Sequence, residues 1–128
     1  MKILGIGVDL IKNKRIAVLV KNKNFIFRTF GSKEISFSKN LVNKNNYFAK
    51  RFAAKEAFSK SLGTGFRNGL SFKDISITND NLGKPSFSLS NKLNDYIKKR
   101  FKLKKFIFLL SITDEKKYSL AFVIFQKI

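Results

Sequence analysis

The stretch from residue 51 to residue 65 reads RFAAKEAFSKSLGTG, and its pattern predicts a helix that ends in glycine. Gly63 and Gly65 stand where the end of a helix favours a left-handed residue. The stretch holds one acid, Glu56, four residues before Lys60. The chain has only 8 Asp and Glu against 27 Lys and Arg, so this acid invites a functional explanation. The alternative is a common Glu–Lys pair on a helix surface.

On the N-terminal side, residues 3–11 (ILGIGVDLI) predict a buried strand, because the run is short, apolar and bounded by charge. One basic amphipathic helix is expected over residues 13–30, and a short helix can open near Ser32. The helix of the opening stretch should begin after a cap at Asn45 or Asn46. Its apolar stripe should cover about a third of its circumference, formed by Phe48, Phe52, Phe58 and Leu62.

On the C-terminal side, strands are predicted over 74–80 (DISITND) and 86–90 (SFSLS), joined by NLGKP, after a loop containing Asn68-Gly69. An amphipathic helix over 91–101 precedes two more strands, over 104–113 and 118–128. Short turns between consecutive strands favour antiparallel pairing. We therefore expect an α+β fold, with an antiparallel sheet packed on helices and a single domain over residues 1–128.

Composition limits the chemistry. The chain has no cysteine and no histidine, which excludes thiolate metal sites and leaves proton transfer to carboxylates, lysines, water or metal-bound species. The net charge of +19 suits an acidic partner, nucleic acid or a membrane surface. The alternative source of the lysine excess is an A/T-rich genome, because Lys, Asn, Phe and Ile have A/T-rich codons. The N-terminal run is interrupted by Asp9 and no window reaches a membrane span, so we expect a soluble, cytoplasmic protein.

Asp9 interrupts the first strand. Gly5, Gly7 and Asp9 share one face of that strand, where two glycines would let a ligand approach the backbone. Alternatively, Asp9 caps the following helix or pairs with Lys12 or Arg15. Asp9 and Glu56 together suit Mg²⁺, which takes one or two carboxylates and completes its coordination with water and phosphate oxygens. Lys55 and Lys60 would then neutralise those phosphates.

Four motifs in this order resemble one family. GIGVDLIKNKRI, RFAAKEAFSKSLGTG, DISITNDNLGKP and LLSIT followed by YSLAFVI are similar to the small bacterial type of 4′-phosphopantetheinyl transferase, holo-acyl-carrier-protein synthase. The resemblance runs from about residue 3 to residue 125, and the first two motifs are the specific ones. It implies transfer of phosphopantetheine from coenzyme A to a serine of apo acyl carrier protein, with release of 3′,5′-ADP.

The resemblance also implies roles for residues. Asp9 and Glu56 match the acids that bind Mg²⁺, and Lys60 matches the lysine at the transferred phosphate. The coenzyme A site implied in this way contains Lys60, Gly63, Gly83, Lys84, Pro85, Ser111 and Thr113. The implied surface for the acidic carrier protein contains Arg15, Leu19, Lys21, Phe25 and Arg28. The family forms a trimer that binds coenzyme A between neighbouring subunits, so a homotrimer is expected here.

One departure from the family concerns a histidine in a pattern like H-V-S-I-T. Leu109 and Leu110 stand at the first two positions here, which predicts weaker coenzyme A binding with the chemistry retained.

Two other functions stay open. A basic nucleic-acid-binding module would want clustered arginines and exposed aromatics, which the spread-out lysines do not supply. A carrier-protein binder without catalysis is opposed by the presence of Asp9, Glu56 and Lys60.

Overall fold

The computed structural model describes residues 1–65 and 69–128, so Asn68 of the predicted Asn68-Gly69 loop lies outside the described residues. Four helices follow the first strand and the other strands come in consecutive pairs, an order that agrees with the α+β prediction. The elements are β1 Lys2–Lys12, α1 Asn13–Leu19, α2 Lys23–Thr29, α3 Ser32–Ser38, α4 Lys44–Leu62, a short 3-10 helix Phe72–Asp74, β2 Ile75–Asn79, β3 Pro85–Leu89, α5 Asn91–Phe101, β4 Phe106–Asp114 and β5 Tyr118–Lys127.

The strands form two antiparallel sheets. β5 lies between β1 and β4 in a three-stranded sheet, and β2 pairs with β3 in a hairpin. Ala121 on the central strand is buried and stands opposite both Asp9 and Ile112, so these two residues lie on the inner face. Phe122 stands opposite Val8 and Ser111 and is exposed, so this second set lies on the outer face. The antiparallel α+β prediction is confirmed.

The single helix expected over residues 13–30 is two helices. α1 ends at Leu19 and α2 begins at Lys23. The side chain of Asn22 accepts hydrogen bonds from the backbone N–H groups of Asn24 and Phe25, at 2.8 and 3.4 Å. An asparagine in this position satisfies N–H groups that the start of a helix leaves free, so it begins a new helix instead of continuing the old one.

The central helix, α4, differs from its prediction at its start and in its burial. Asn43 is its cap, because the Asn43 side chain accepts a hydrogen bond from the Asn46 N–H at 3.0 Å; Asn45 and Asn46 lie inside the helix. Gly63 ends it in the left-handed conformation, as predicted (φ 75°). The expected apolar stripe is too narrow, because α4 packs against the three-stranded sheet, α1 and β2. Twelve of its 19 residues are buried, including four alanines that the stripe omitted: Ala49, Ala53, Ala54 and Ala57.

The glycines of β1 admit α4 and not a ligand. A Cβ atom at Gly7 would overlap the carbonyl oxygen of Ala57, and one at Gly5 would overlap that of Ser61. The helix backbone therefore rests directly on the strand backbone, the close approach for which glycine is suited. This corrects the expectation that the glycine face of β1 is open to a ligand. The same contact brings α4 alongside Asp9, two residues after Gly7.

Phenylalanine supplies much of the core. Phe108 stacks on Phe125 at 4.5 Å between ring centroids and contacts Phe58 of α4 at 4.2 Å. Two groups of buried side chains, one under α1 to α4 and one under α5, both pack against Phe87 and Phe108. Among the described helices, none has the length and apolar character needed to cross a membrane.

Candidate active site

Asp9 and Lys60 form an ion pair between β1 and α4. The ammonium of Lys60 donates to Asp9 Oδ1 at 3.1 Å and to the carbonyl oxygen of Val8 at 3.0 Å. The Asp9 side chain is 16% exposed and that of Lys60 is 55% exposed, so the pair stands at the protein surface. The alternatives for Asp9 are wrong: α1 has no side-chain cap, and the ion pair is with Lys60.

Glu56 completes a cluster with these two residues. Its pKa is raised, first because the side chain is half-buried and then because the Asp9 carboxylate repels a second negative charge. Lys60 and Arg15 oppose the rise, which places both cations near the Glu56 carboxyl. The structure therefore brings together Asp9, Glu56 and Lys60, the residues that the resemblance implies for catalysis.

The chemistry of this cluster fits a hard divalent cation. Two carboxylates that repel one another gain from a cation between them, and carboxylate oxygens are the ligands that Mg²⁺ prefers. In residues 1–65 and 69–128 no three His, Cys, Asp or Glu side chains converge on one point. Two carboxylates suit Mg²⁺, which usually keeps several waters and phosphate oxygens, better than a metal that needs a full protein cage.

Lys55, the other lysine expected to face phosphates, lies in the interior. Its side chain is fully buried, and its ammonium donates to Glu34 Oε1 at 2.6 Å. Burial lowers the pKa of Lys55, and the neighbouring Glu34 carboxylate opposes that shift. Lys55 is therefore unavailable to a ligand, and the expectation for it is wrong.

A cleft of about 870 Å³ opens on another side of α4, between α3 and the β2–β3 hairpin. Arg51 lines it and donates from Nη2 to Asn79 Oδ1 at 2.9 Å, while its Nε is buried and has no hydrogen-bond partner within the described residues. Tyr47 stacks on the Arg51 guanidinium at 3.8 Å. Our sequence reasoning missed this cleft. The one signal for it in the sequence was Arg51, the first residue of the motif RFAAKEAFSKSLGTG.

The turn formed by Gly83, Lys84 and Pro85, the GKP turn, is held by hydrogen bonds within the β2–β3 hairpin. Gly83 has a φ of 88°, a left-handed value that glycine tolerates best. Asp80 Oδ1 accepts hydrogen bonds from the N–H groups of Leu82 and Lys84, both at 2.9 Å. Lys84 is exposed and Pro85 begins β3. The turn belongs to the same hairpin whose Asn79 and Asp80 line the cleft beside Arg51.

Ser111 and Thr113 share a strand face, as predicted, but it is the outer face of the three-stranded sheet. Asp9 lies on the inner face of β1, at the opposite edge of that sheet. Gly63, in contrast, is exposed at the end of α4 and bonds to the carbonyl of Lys60. Within a single chain, Gly63 therefore lies beside the acid–lysine cluster of Asp9, Glu56 and Lys60. Ser111 and Thr113 of the same chain do not.

The expected carrier-protein surface lies on α1 and α2. Arg15, Lys21 and Arg28 are exposed and Leu19 is partly buried. Phe25 is buried and packs on Phe30 and Phe52, so its place in an exposed surface is corrected. Other apolar side chains of the two helices are exposed. Two of them, Val18 at 64% and Phe27 at 60% exposure, are surface residues that our sequence reasoning missed.

Fold and site define a class: a small α+β protein with two carboxylates and a lysine where a central helix meets an edge strand. Comparison with known proteins agrees, since a model of the 4′-phosphopantetheinyl transferase superfamily matches residues 5–123. The chain belongs to that superfamily.

Individual relatives extend this match over the full length. The holo-[acyl-carrier-protein] synthase of Pelagibacter ubique is 60% identical over 127 residues, which cover 99% of each chain. The crystal structure of holo-[acyl-carrier-protein] synthase from Neisseria meningitidis gives a TM-score of 0.88 at 39% identity, covering 98% of this chain and 99% of that one. A Bacillus anthracis holo-(acyl-carrier-protein) synthase in complex with CoA (3′,5′-ADP) gives 0.82 at 33% identity, covering both chains fully.

Proposed function

We infer that this protein is a holo-acyl-carrier-protein synthase. The serine oxygen of apo acyl carrier protein bonds to the phosphorus that carries pantetheine. The bond from that phosphorus to the bridging oxygen of the pyrophosphate breaks, and 3′,5′-ADP leaves. The serine proton is released. The observation that carries this inference is the cluster of Asp9, Glu56 and Lys60 in a chain that matches such synthases over its full length.

The residues of the cluster have distinct tasks in this proposal. Phosphoryl-type transfer depends mainly on positioning and on neutralising charge at the phosphate oxygens. Lys60 is half-exposed on a mobile four-carbon stem, so its ammonium can reach a phosphate placed beside Asp9. Gly63 ends the helix without a side chain and keeps the approach to Lys60 open.

Asp9 and Glu56 would hold Mg²⁺. Bound there, the cation would offset the negative charge of the pyrophosphate. The two carboxylates supply the oxygen donors, and Arg15 and Lys60 balance part of their charge when no cation is present. Burial is the main cause of the raised pKa of Glu56 and repulsion by the Asp9 carboxylate adds to it; that repulsion is the feature of this chain that favours a divalent cation.

Coenzyme A would bind between subunits of a homotrimer. The outer face of the three-stranded sheet is apolar and open, with Ile6 61%, Val8 50% and Leu10 60% exposed. A contiguous apolar face of this kind is typical of a subunit interface. Packing that face against a neighbour would also let Ser111 and Thr113 of one subunit serve the acid–lysine cluster of another, which a single chain cannot do.

The nucleotide part of coenzyme A would occupy the cleft beside Arg51. A volume of about 870 Å³ suits a ligand of nucleotide size. The acids that line the cleft are bonded within the fold, as Asp74 is to Ser71 and Ser90. The buried Nε of Arg51 lies 3.7 Å from Glu34 Oε2, and the guanidinium of Arg51, which lines the cleft, supplies positive charge for a phosphate. Lys84 of the GKP turn stands on the same hairpin.

The acidic carrier protein would dock on α1 and α2. Arg15, Lys21 and Arg28 supply exposed positive charge there, and Leu19, Val18 and Phe27 supply apolar contact area. Opposite charges steer two such partners together and raise their association rate. Arg15 also lies close to Glu56, so a carrier protein bound at this surface would present its serine near the cluster. We propose that one domain does this in the cytoplasm, where coenzyme A is found.

Substitutions in the cluster test this function. Asp9→Ala and Glu56→Ala should each lower phosphopantetheine transfer at least about 100-fold, because charge stabilisation at the phosphate is lost. The measurement is the rate of holo carrier protein formation, with circular dichroism to verify folding. Asp95→Ala, which removes an exposed acid from α5, is the matched control and should keep the rate. Full activity in either cluster variant would refute the site.

A further inference from the structure

Lys55 stands next to Glu56 in the motif RFAAKEAFSKSLGTG, yet Lys55 lies in the interior while Glu56 lies at the acid–lysine cluster. Every proton of the Lys55 ammonium has an acceptor inside the protein. It donates to Glu34 Oε1 at 2.6 Å, to the carbonyl of Thr29 at 2.8 Å and to the carbonyl of Phe72 at 3.1 Å. An ammonium has three donors, so none is left for a phosphate.

Glu34 is equally engaged. Its Oε1 also accepts from the Gly31 N–H at 3.1 Å, and its Oε2 accepts from the Ile77 N–H at 3.2 Å. Oε2 lies 3.7 Å from Arg51 Nε as well. Glu34 is 3% exposed. The pair therefore ties α4 to the end of α2, to α3, to the 3-10 helix and to β2 at a single buried point.

The other side of α4 is fixed by backbone contact. Gly5 and Gly7 of β1 bring the strand against the carbonyls of Ser61 and Ala57, leaving no space for a Cβ atom. Two anchors on different sides of one helix set both its position and its rotation about its own axis. Glu56 follows Lys55 by about 100° around that axis, so the rotation of α4 decides where the Glu56 carboxyl lies relative to Asp9.

We propose that Lys55 is a positioning residue, which acts with Glu34 to hold α4 in the rotation that places Glu56 beside Asp9. In this proposal Lys55 affects the reaction only through the position of Glu56. This proposal rests on the proposed function, in which Glu56 binds the metal. The competing role is direct contact of Lys55 with a phosphate of coenzyme A.

Three variants separate these roles. Lys55→Met removes the cation and leaves the Glu34 carboxylate buried without it. The double variant Glu34→Gln/Lys55→Met removes both charges and keeps an acceptor for the Gly31 and Ile77 N–H groups. Lys44→Met, which removes an exposed lysine from the same helix, is the control. For each we would measure the Tm, the affinity for Mn²⁺ by titration calorimetry without coenzyme A, and kcat and KM for coenzyme A.

We expect Lys55→Met to lower the Tm by about 10 °C or more, because one partner of a buried ion pair is stranded. At temperatures where it stays folded, Mn²⁺ affinity should fall at least about tenfold, as for residues that orient metal ligands. kcat should fall with it, while KM for coenzyme A stays within about twofold of the wild-type value. The double variant should recover most of the Tm, because no charge is stranded, but should keep the weakened Mn²⁺ affinity, because the hydrogen bonds that hold the rotation of α4 are still absent.

Two results would overturn the proposal. A folded Lys55→Met protein with normal Mn²⁺ affinity and normal kcat would make Lys55 purely structural. A folded double variant with lost kcat and a raised KM for coenzyme A would show direct contact with substrate. If Lys55→Met does not fold, the double variant decides: normal Mn²⁺ affinity and normal kcat in it would make Lys55 purely structural, and a raised KM for coenzyme A would show direct contact. A wild-type protein that binds Mn²⁺ but transfers nothing would refute the proposed function while the Tm and Mn²⁺ measurements still test the positioning role.

Discussion

At the scale of single residues, the scarcity of acids was the most informative property of the sequence. It directed attention to Asp9 and Glu56, and the fold brings both near Lys60. The partner of Asp9 was not predictable, because Asp9 and Lys60 meet only when α4 packs across β1. The pairing of Glu34 with Lys55 was not predictable for the same reason, since the two residues meet only in the folded interior. No functional role was therefore predicted for Glu34.

The departure at Leu109 yields a prediction at this scale. Leu109 is 43% exposed on the outer face of β4, and a histidine is no larger than the leucine that it would replace. Leu109→His should lower KM for coenzyme A by about tenfold, because a hydrogen bond to a charged phosphate is worth about 1.5–3 kcal/mol. Steady-state kinetics measure this, with Leu109→Phe as a ring without a donor. An unchanged KM in the histidine variant would show that the wild-type protein binds coenzyme A through other contacts.

At the scale of elements, the presence of the helices and strands was easier to predict than their ends and their buried surface. Strong periodicity and the Gly63 stop identified α4, and alternation and turn residues identified the strands. The burial of α4 was underestimated because small residues carry little amphipathic signal. Ala53, Ala54 and Ala57 are buried where helix and sheet backbones approach closely. The break after α1 had a local signal in Asn22, which competes for the backbone N–H groups of the next turn.

The contact between α4 and β1 makes a prediction about stability. Gly7→Ala should lower the free energy of unfolding by about 3 kcal/mol, because a Cβ would overlap the carbonyl of Ala57 in a packed core. Gly83→Ala, with open space around it and a φ of 88°, should lower it by only about 1–2 kcal/mol through backbone strain. Urea unfolding of both variants tests the difference. Equal losses would mean that α4 shifts easily on the strand.

At the scale of the whole molecule, the described chain leaves one face of its main sheet uncovered. The sequence alone could not identify that face, because most large apolar side chains of β1 are the exposed ones and glycines form the face that packs on α4. Only the register reveals that Val8, Phe122 and Leu109 point away from α4. The resemblance supplied the expected trimer, and the apolar outer face gives that expectation a physical basis.

Assembly and activity should therefore fail together. Light scattering on the wild-type protein should give three times the 14.7 kDa chain mass. Val8→Glu would place a charge in the interface without disturbing the inner core, since Val8 is 50% exposed in the single chain. We expect this variant to be a folded monomer with little transfer activity, because Ser111 and Thr113 of a neighbour no longer complete the site. A fully active wild-type monomer would contradict the shared site.

The most direct measurement is the intact mass of an apo acyl carrier protein after incubation with the wild-type protein, coenzyme A and Mg²⁺. We predict the gain of one phosphopantetheine group, prevented by a chelator and restored by excess Mg²⁺. No gain of mass with several apo carrier proteins, from a folded protein at saturating coenzyme A, would contradict the assignment as a holo-acyl-carrier-protein synthase.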